Sequence, residues 1–176
     1  MRPKLFVGAV LLGCSLACGA QSASRHAQLL IRTQSCFEGR TQHPTETFVA
    51  VFTSDQAGPI DNMWAERERL SKVLGKTQSP DAADQYFKFS NRFFDRLGSQ
   101  PALARIKEMK GWWVRLGVPT EQRLVVYGYH SDEGELEPQP VRMVVLPELN
   151  KESVVTLDYT DPALCKWNGK GNPYAK

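Results

Sequence analysis

The hydrophobic pattern of this chain changes its period twice, and this change restricts the fold more than any other feature. Apolar and β-branched residues are concentrated over 27–33 and 47–53, as in strands with a buried face. Over 61–110 the apolar residues recur at spacings of three and four, which indicates amphipathic helices. Strand composition returns in three later segments, at 123–130, 141–146 and 153–159. Strands and helices segregated in this way predict an α+β fold.

The predicted architecture is a mostly antiparallel sheet built from both chain ends, with two or three central helices packed on one face. Asp61 is the expected cap of the first helix, and Gly75 its end. The segment Ser79-Pro80-Asp81 combines a capping hydroxyl, a first-turn proline and an acid, so it predicts the start of the second helix, which Gly98 ends. A third helix is expected from Pro101 to Lys110. The composition of 112–116 fits either a helix or a strand.

Aromatic side chains are frequent in the helical region and could either form the core or line a groove for a ligand. Their helical spacing favours the core. The residues predicted to lie in the core are Phe89, Phe93, Val125 and Val144. The adjacent pair Trp112-Trp113 is difficult to bury completely, so at least one of these rings is expected at the surface, where tryptophan commonly anchors an interface.

The first 23 residues have the order of a secretory signal peptide. Arg2 and Lys4 precede an apolar run at 5–12, and small residues follow at 13–20. This run is too short to cross a bilayer, which needs about 20 apolar residues, and no later run approaches that length. Residues 24–176 are therefore expected to form a single exported domain.

The signal has three candidate processing sites. Leu11-Leu12-Gly13-Cys14 fits a bacterial lipobox, in which Cys14 becomes lipidated, and Cys18 is a second candidate. Ordinary cleavage near Ala20 or Ala23 would remove both cysteines. Contact with a membrane is thus expected only through a lipid anchor on Cys14 or Cys18.

Charge argues against nucleic acid as a partner. The chain has a formal charge of +3, and the 22 basic residues less Arg2 and Lys4 leave about +1 against 19 acidic ones. A nearly neutral domain lacks the broad basic face that binds phosphates.

Cys36 and Cys165 are the two cysteines in the body of the chain. In an exported domain such a pair is most simply a disulfide. A reactive thiol or a metal ligand is the alternative, but neither cysteine has a CxxC partner or a histidine at ligand spacing.

No sequence motif of a nucleophile, metal or nucleotide site is present, so the chain is predicted to have no catalytic residues, metal or cofactor. His130 precedes the acidic segment 131–137, which could supply a general base or a cation site, or could be a solvated hairpin tip. The candidate residues for binding a partner are Trp112, Trp113, His130, Asp132, Glu133, Glu135 and Glu137.

Three features together resemble small envelope proteins of Gram-negative bacteria. They are Leu11-Leu12-Gly13-Cys14, the strand Leu29-Leu30-Ile31 that leads into Cys36-Phe37, and the β-rich end that closes near Cys165. The plan is similar to that of periplasmic immunity lipoproteins that protect a cell from type VI secretion effectors. The resemblance covers the two ends and leaves out the helices over 61–110.

This resemblance implies a periplasmic domain, with or without a lipid anchor, that binds and inhibits another envelope or secreted protein, such as a toxic effector. The resemblance assigns no function to any individual residue of this chain. The alternative is a structural or assembly lipoprotein of the envelope with no inhibitory role.

Overall fold

A computed structural model describes residues 26–130 and 138–170, and within these ranges the chain forms eight strands and three helices. The strands are β1 (His26–Phe37), β2 (Arg40–Gln42), β3 (Thr47–Thr53), β4 (Ala104–Met109), β5 (Trp113–Pro119), β6 (Leu124–His130), β7 (Gln139–Val145) and β8 (Glu152–Asp158). The helices are α1 (Ser54–Thr77), α2 (Pro80–Ser99) and α3 (Pro162–Lys166). The α+β class is confirmed. The predicted signal peptide, with Cys14 and Cys18, lies outside the described residues.

The strands form two sheets where the sequence predicted one. In the first sheet β1 is central, with β5 antiparallel on one side and β8 parallel on the other, while β2 pairs with the end of β1. The second sheet has the order β4-β3-β6-β7 and is antiparallel throughout. The pairing of β1 with β8 joins the two ends of the chain, as expected.

Alternation along β3 and β6 divides the interior into two cores. Val49, Val51 and Val126 face the first sheet and pack against Leu29 and Ile31 of β1. The opposite face of the second sheet is covered by α1 and α2. That second core contains Phe48, Ala50, Phe52, Ala57, Ile60, Phe93, Leu97, Val125 and Tyr127. The protein therefore has three layers, in the order sheet, sheet and helices.

Helix α1 begins seven residues before the predicted cap, at Ser54, and it ends at Thr77 beyond Gly75. Thr53 is the actual cap: its hydroxyl accepts from the backbone N–H of Gln56, whose side chain accepts in turn from the backbone N–H of Thr53. This capping box fixes the helix start, and the helix continues through Gly58 and Pro59. Helix α2 begins as predicted, with the Ser79 hydroxyl accepting from Ala82 at 3.2 Å.

The predicted third helix is wrong, because residues 104–109 form strand β4 against β3. Leu103, Ile106 and Met109 have helical spacing, but Ile106 pairs with Val49 across the ladder, and Met109 enters the core between the sheets. Pairing with β3 outweighs the local pattern. The ambiguous segment that follows is also strand, in β5.

Two of the four predicted core residues are confirmed. Phe93 and Val125 are buried, whereas Phe89 is only half-buried and Val144 is 43% exposed. Val144 pairs directly with Val125 and shares its face of the sheet. The helical core reaches β6 but does not cover Val144 on edge strand β7.

The predicted disulfide joins Cys36, near the end of β1, to Cys165 in α3, with 4.8 Å between the two Cα atoms. The turn after β1 also holds α3, because the backbone N–H groups of Glu38 and Gly39 donate to the carbonyls of Leu164 and Cys165, at 3.1 and 2.6 Å. Glu38 and Gly39 have φ of 49° and 74°, as a two-residue hairpin turn requires. No helix of the described residues is long and apolar enough to cross a membrane.

Candidate functional site

A cavity of about 550 Å³ lies at the end of the sandwich where β1, β6 and β7 approach α3. Its wall combines Cys36, His43, His130 and Gln139 with Tyr159 of the segment that follows β8. Its volume is within the range of cavities that hold small molecules, about 300 to 1,000 Å³. The cavity collects residues from five separate parts of the chain.

His130, one of the predicted binding residues, forms part of this wall. It ends β6 and pairs with Gln139, the first residue of β7, so both residues stand at the base of the acidic segment. The predicted acidic residues Asp132, Glu133, Glu135 and Glu137 lie outside the described residues.

Tyr159 is buried behind the cavity wall, with its ring centre 6.1 Å from that of His130. Its hydroxyl lies over Gly128, where an added Cβ would be only 2.7 Å from the hydroxyl oxygen. The same Cβ would lie still closer to Cδ1 of Leu157, so a larger residue at position 128 would displace both side chains. Burial raises the pKa of Tyr159 far above its ordinary value, so this part of the wall carries no charge.

Trp112 is connected to the cavity by His43, a residue that no sequence pattern singles out. The two rings are stacked with their centres 4.5 Å apart, and Nδ1 of His43 lies 3.0 Å from the carbonyl oxygen of Thr33. Thr33 also donates its backbone N–H to the Trp112 carbonyl at 2.9 Å and its hydroxyl to that of Pro44 at 2.6 Å. No sequence signal links His43 to Trp112, which is 69 residues later.

Trp113 lies on the outer face of the first sheet, away from both cores, and is 48% exposed. The guanidinium of Arg115 lies 5.7 Å from the centre of its ring. A small hollow of about 150 Å³ opens beside it, lined by Leu30, Arg32, Trp112, Trp113 and Arg115. We call this the tryptophan hollow. Trp112 lines the hollow and stacks on His43 of the cavity wall, so the two concave regions are neighbours.

A separate polar cluster ties α1 to edge strand β7. Arg142 donates to both carboxylate oxygens of Asp61, at 2.6 and 2.9 Å, and Tyr127 donates to the same carboxylate. Burial raises the pKa of Asp61, but the hydrogen bonds from Arg142 and Tyr127 outweigh it, so the net shift is downward. Asp61, the predicted helix cap, is thus a link between layers. It does not line the cavity.

The site combines polar, cationic and aromatic groups. The cavity wall offers imidazole and amide groups beside apolar rings, and the neighbouring hollow offers indoles and guanidiniums. Among the residues that the structure describes, no group of three His, Cys, Asp or Glu side chains could hold a metal ion. Family models, curated proteins and solved structures were compared with the chain, and none of them matches.

Proposed function

We propose that this protein is exported to the periplasm, with or without a lipid anchor, and acts there by binding another envelope or secreted protein. The proposed action is inhibition of a toxic type VI secretion effector, by binding and without catalysis or a cofactor. The proposed contacts are the tryptophan pair, His130 and the acidic segment that follows it.

The exposure of both tryptophans is the observation that supports this proposal. Trp112 is 40% exposed and Trp113 is 48% exposed, side by side in the chain, whereas most aromatic residues of the described chain are buried or only slightly exposed. Tryptophan and arginine are the residues most enriched among the energetically dominant contacts of protein interfaces. Here Trp113 lies in strand β5 and Arg32 in the neighbouring strand β1, and the sheet holds both in fixed positions.

The experiment compares sibling cells that deliver the candidate effector to strains with and without this gene. We expect deletion to cause poisoning, and the wild-type gene to restore survival. The double substitution of Trp112 and Trp113 by alanine should lose protection while the protein still folds, which its cooperative unfolding transition in urea would show. Phe87→Ala is the matched control, since this aromatic residue is also exposed but lies on α2, on the opposite side of the molecule.

A second set of variants tests the acidic segment. In it, Asp132 is replaced by Asn, and Glu133, Glu135 and Glu137 are replaced by Gln. Reduced protection is expected, with a larger effect at low salt because screening weakens charge attraction between exposed groups. Full protection by the tryptophan variant would refute the proposed surface. A deletion strain with no toxicity phenotype and no co-purifying partner would favour an assembly lipoprotein instead.

A further inference from the structure

The outer face of the first sheet carries an ordered cluster of indole and guanidinium groups. In the ladder, Trp113 pairs with Arg32, and Arg115 pairs with Leu30. Paired residues point to the same side of a sheet, so all four side chains share the outer face. Leu30 is only 4% exposed although it lies on this face. The longer neighbouring side chains therefore cover it and form the walls of the tryptophan hollow.

The residues that line the hollow carry positive charges and no negative charge. Its lining contains two guanidiniums and no carboxylate. Arg115 donates its Nε to Glu152 at 2.6 Å, so that charge is partly compensated. Asp158 lies farther along β8, where it bonds Gln34 and the backbone of Thr160. The guanidinium of Arg32 makes no hydrogen bond or ion pair with any residue that the structure describes.

We propose that the tryptophan hollow receives a carboxylate side chain of a partner protein, with Arg32 as its ion-pair donor and Trp113 as its apolar wall. The inference rests on the proposed binding function and names the chemistry of the partner's contact. A planar guanidinium can donate two parallel hydrogen bonds to a carboxylate. The volume of about 150 Å³ suits one side chain. Val154, exposed next to Leu30 on β8, extends the apolar rim for a flanking aliphatic residue of the partner.

The test uses a defined probe, the acetylated and amidated peptide Glu-Leu-Asp-Leu-Glu, and its neutral counterpart Gln-Leu-Asn-Leu-Gln. The full chain is labelled with ¹⁵N, and the indole N–H signals are assigned with Trp112→Phe and Trp113→Phe. At about millimolar peptide we expect saturable shifts of the Trp112 and Trp113 signals. Trp64 and Trp167 are internal controls, because neither lines the hollow.

Arg32→Gln should weaken binding of the acidic peptide at least tenfold, and it should not unfold the protein because Arg32 is exposed. Arg92→Gln on α2 is the matched control and should bind as the wild type does. Equal shifts with the neutral peptide, or unchanged binding by Arg32→Gln, would overturn the inference. Equal shifts with inorganic phosphate would overturn it as well, by showing a general anion site.

The result of this test can be distinguished from the result of the test of the proposed function. If Arg32→Gln cells remain protected while the tryptophan variant loses protection, the role of Arg32 is wrong and the binding function stands. If the acidic peptide binds as expected and deletion has no phenotype, the carboxylate site stands and the immunity function fails.

Discussion

Phe93 on α2 gives the sharpest test of how the helices pack on the second sheet. Its side chain is fully buried, and its ring centre lies 6.0 Å from that of Trp64 on α1 and 6.4 Å from that of Tyr127 on β6. The side chain thus links two helices and a strand. Phe93→Ala removes the ring and leaves a cavity among elements that the fold holds in place.

The expected loss follows from this burial. Burying a phenylalanine side chain is worth about 1.5 to 3 kcal/mol, and the cavity term raises the cost of truncation to about 3 to 5 kcal/mol. With a urea dependence of about 1 to 3 kcal/mol per molar, the midpoint of unfolding should fall by about 1 to 5 M. Phe87→Ala, on the same helix but 36% exposed, should cost less than about 1 kcal/mol.

Equilibrium urea unfolding of the wild type and the two variants measures both effects. The comparison requires equal slopes, because a changed slope would indicate a changed unfolded or native state. If Phe93→Ala unfolds at the same midpoint as Phe87→Ala, α2 does not pack on the sheet through Phe93, and the helical core described above is wrong.

Reduction of the Cys36–Cys165 bond should lower the free energy of unfolding by about 2 to 5 kcal/mol. Thiol counting on the unfolded, non-reduced protein checks the bond, and two reactive thiols at these positions would disprove it. The lowered pKa of Asp61 means that its ion pair stabilises the fold fully above the ordinary value of 3.8 and is lost as pH falls through the lowered pKa. The urea midpoint should therefore fall as the pH is lowered past 3.8 and on through the lowered pKa of Asp61. Asp61→Asn should be less stable at neutral pH and should show a smaller fall in this window, whereas an unchanged pH profile would contradict the prediction.

Features encoded by neighbouring residues could be predicted from the sequence. The start of α2 depends on Ser79 and Pro80 alone, and the strand over 47–53 was predicted from its own apolar and β-branched residues. The sequence also indicated the disulfide, because few cysteines and an exported chain leave little choice. Such signals act within one turn or one strand, or through the composition of the whole chain.

Features that depend on distant partners could not be predicted. Strand β4 exists because β3 offers an open edge, and the same residues on their own have a helical period. Val144 has the same residue type and strand pattern as Val125, and only the width of the helical layer leaves it exposed. In the site, His43 is held by contacts with Thr33 and Trp112, which are close to it in the folded structure but not in the sequence.

The end of the sandwich that carries the cavity is cross-linked by a disulfide and by several hydrogen bonds. The disulfide and two backbone hydrogen bonds fix α3 to the hairpin after β1, and Thr33 fixes the segments around His43 and Trp112. Trp112 therefore has little freedom to lose when a partner binds. Ordering an interface side chain costs about 0.5 to 1.5 kcal/mol, so this arrangement reduces the cost of association. Under the proposed binding function, the hydrogen bond from Thr33 would contribute to binding as well as to stability, because it holds Trp112 in place before a partner arrives.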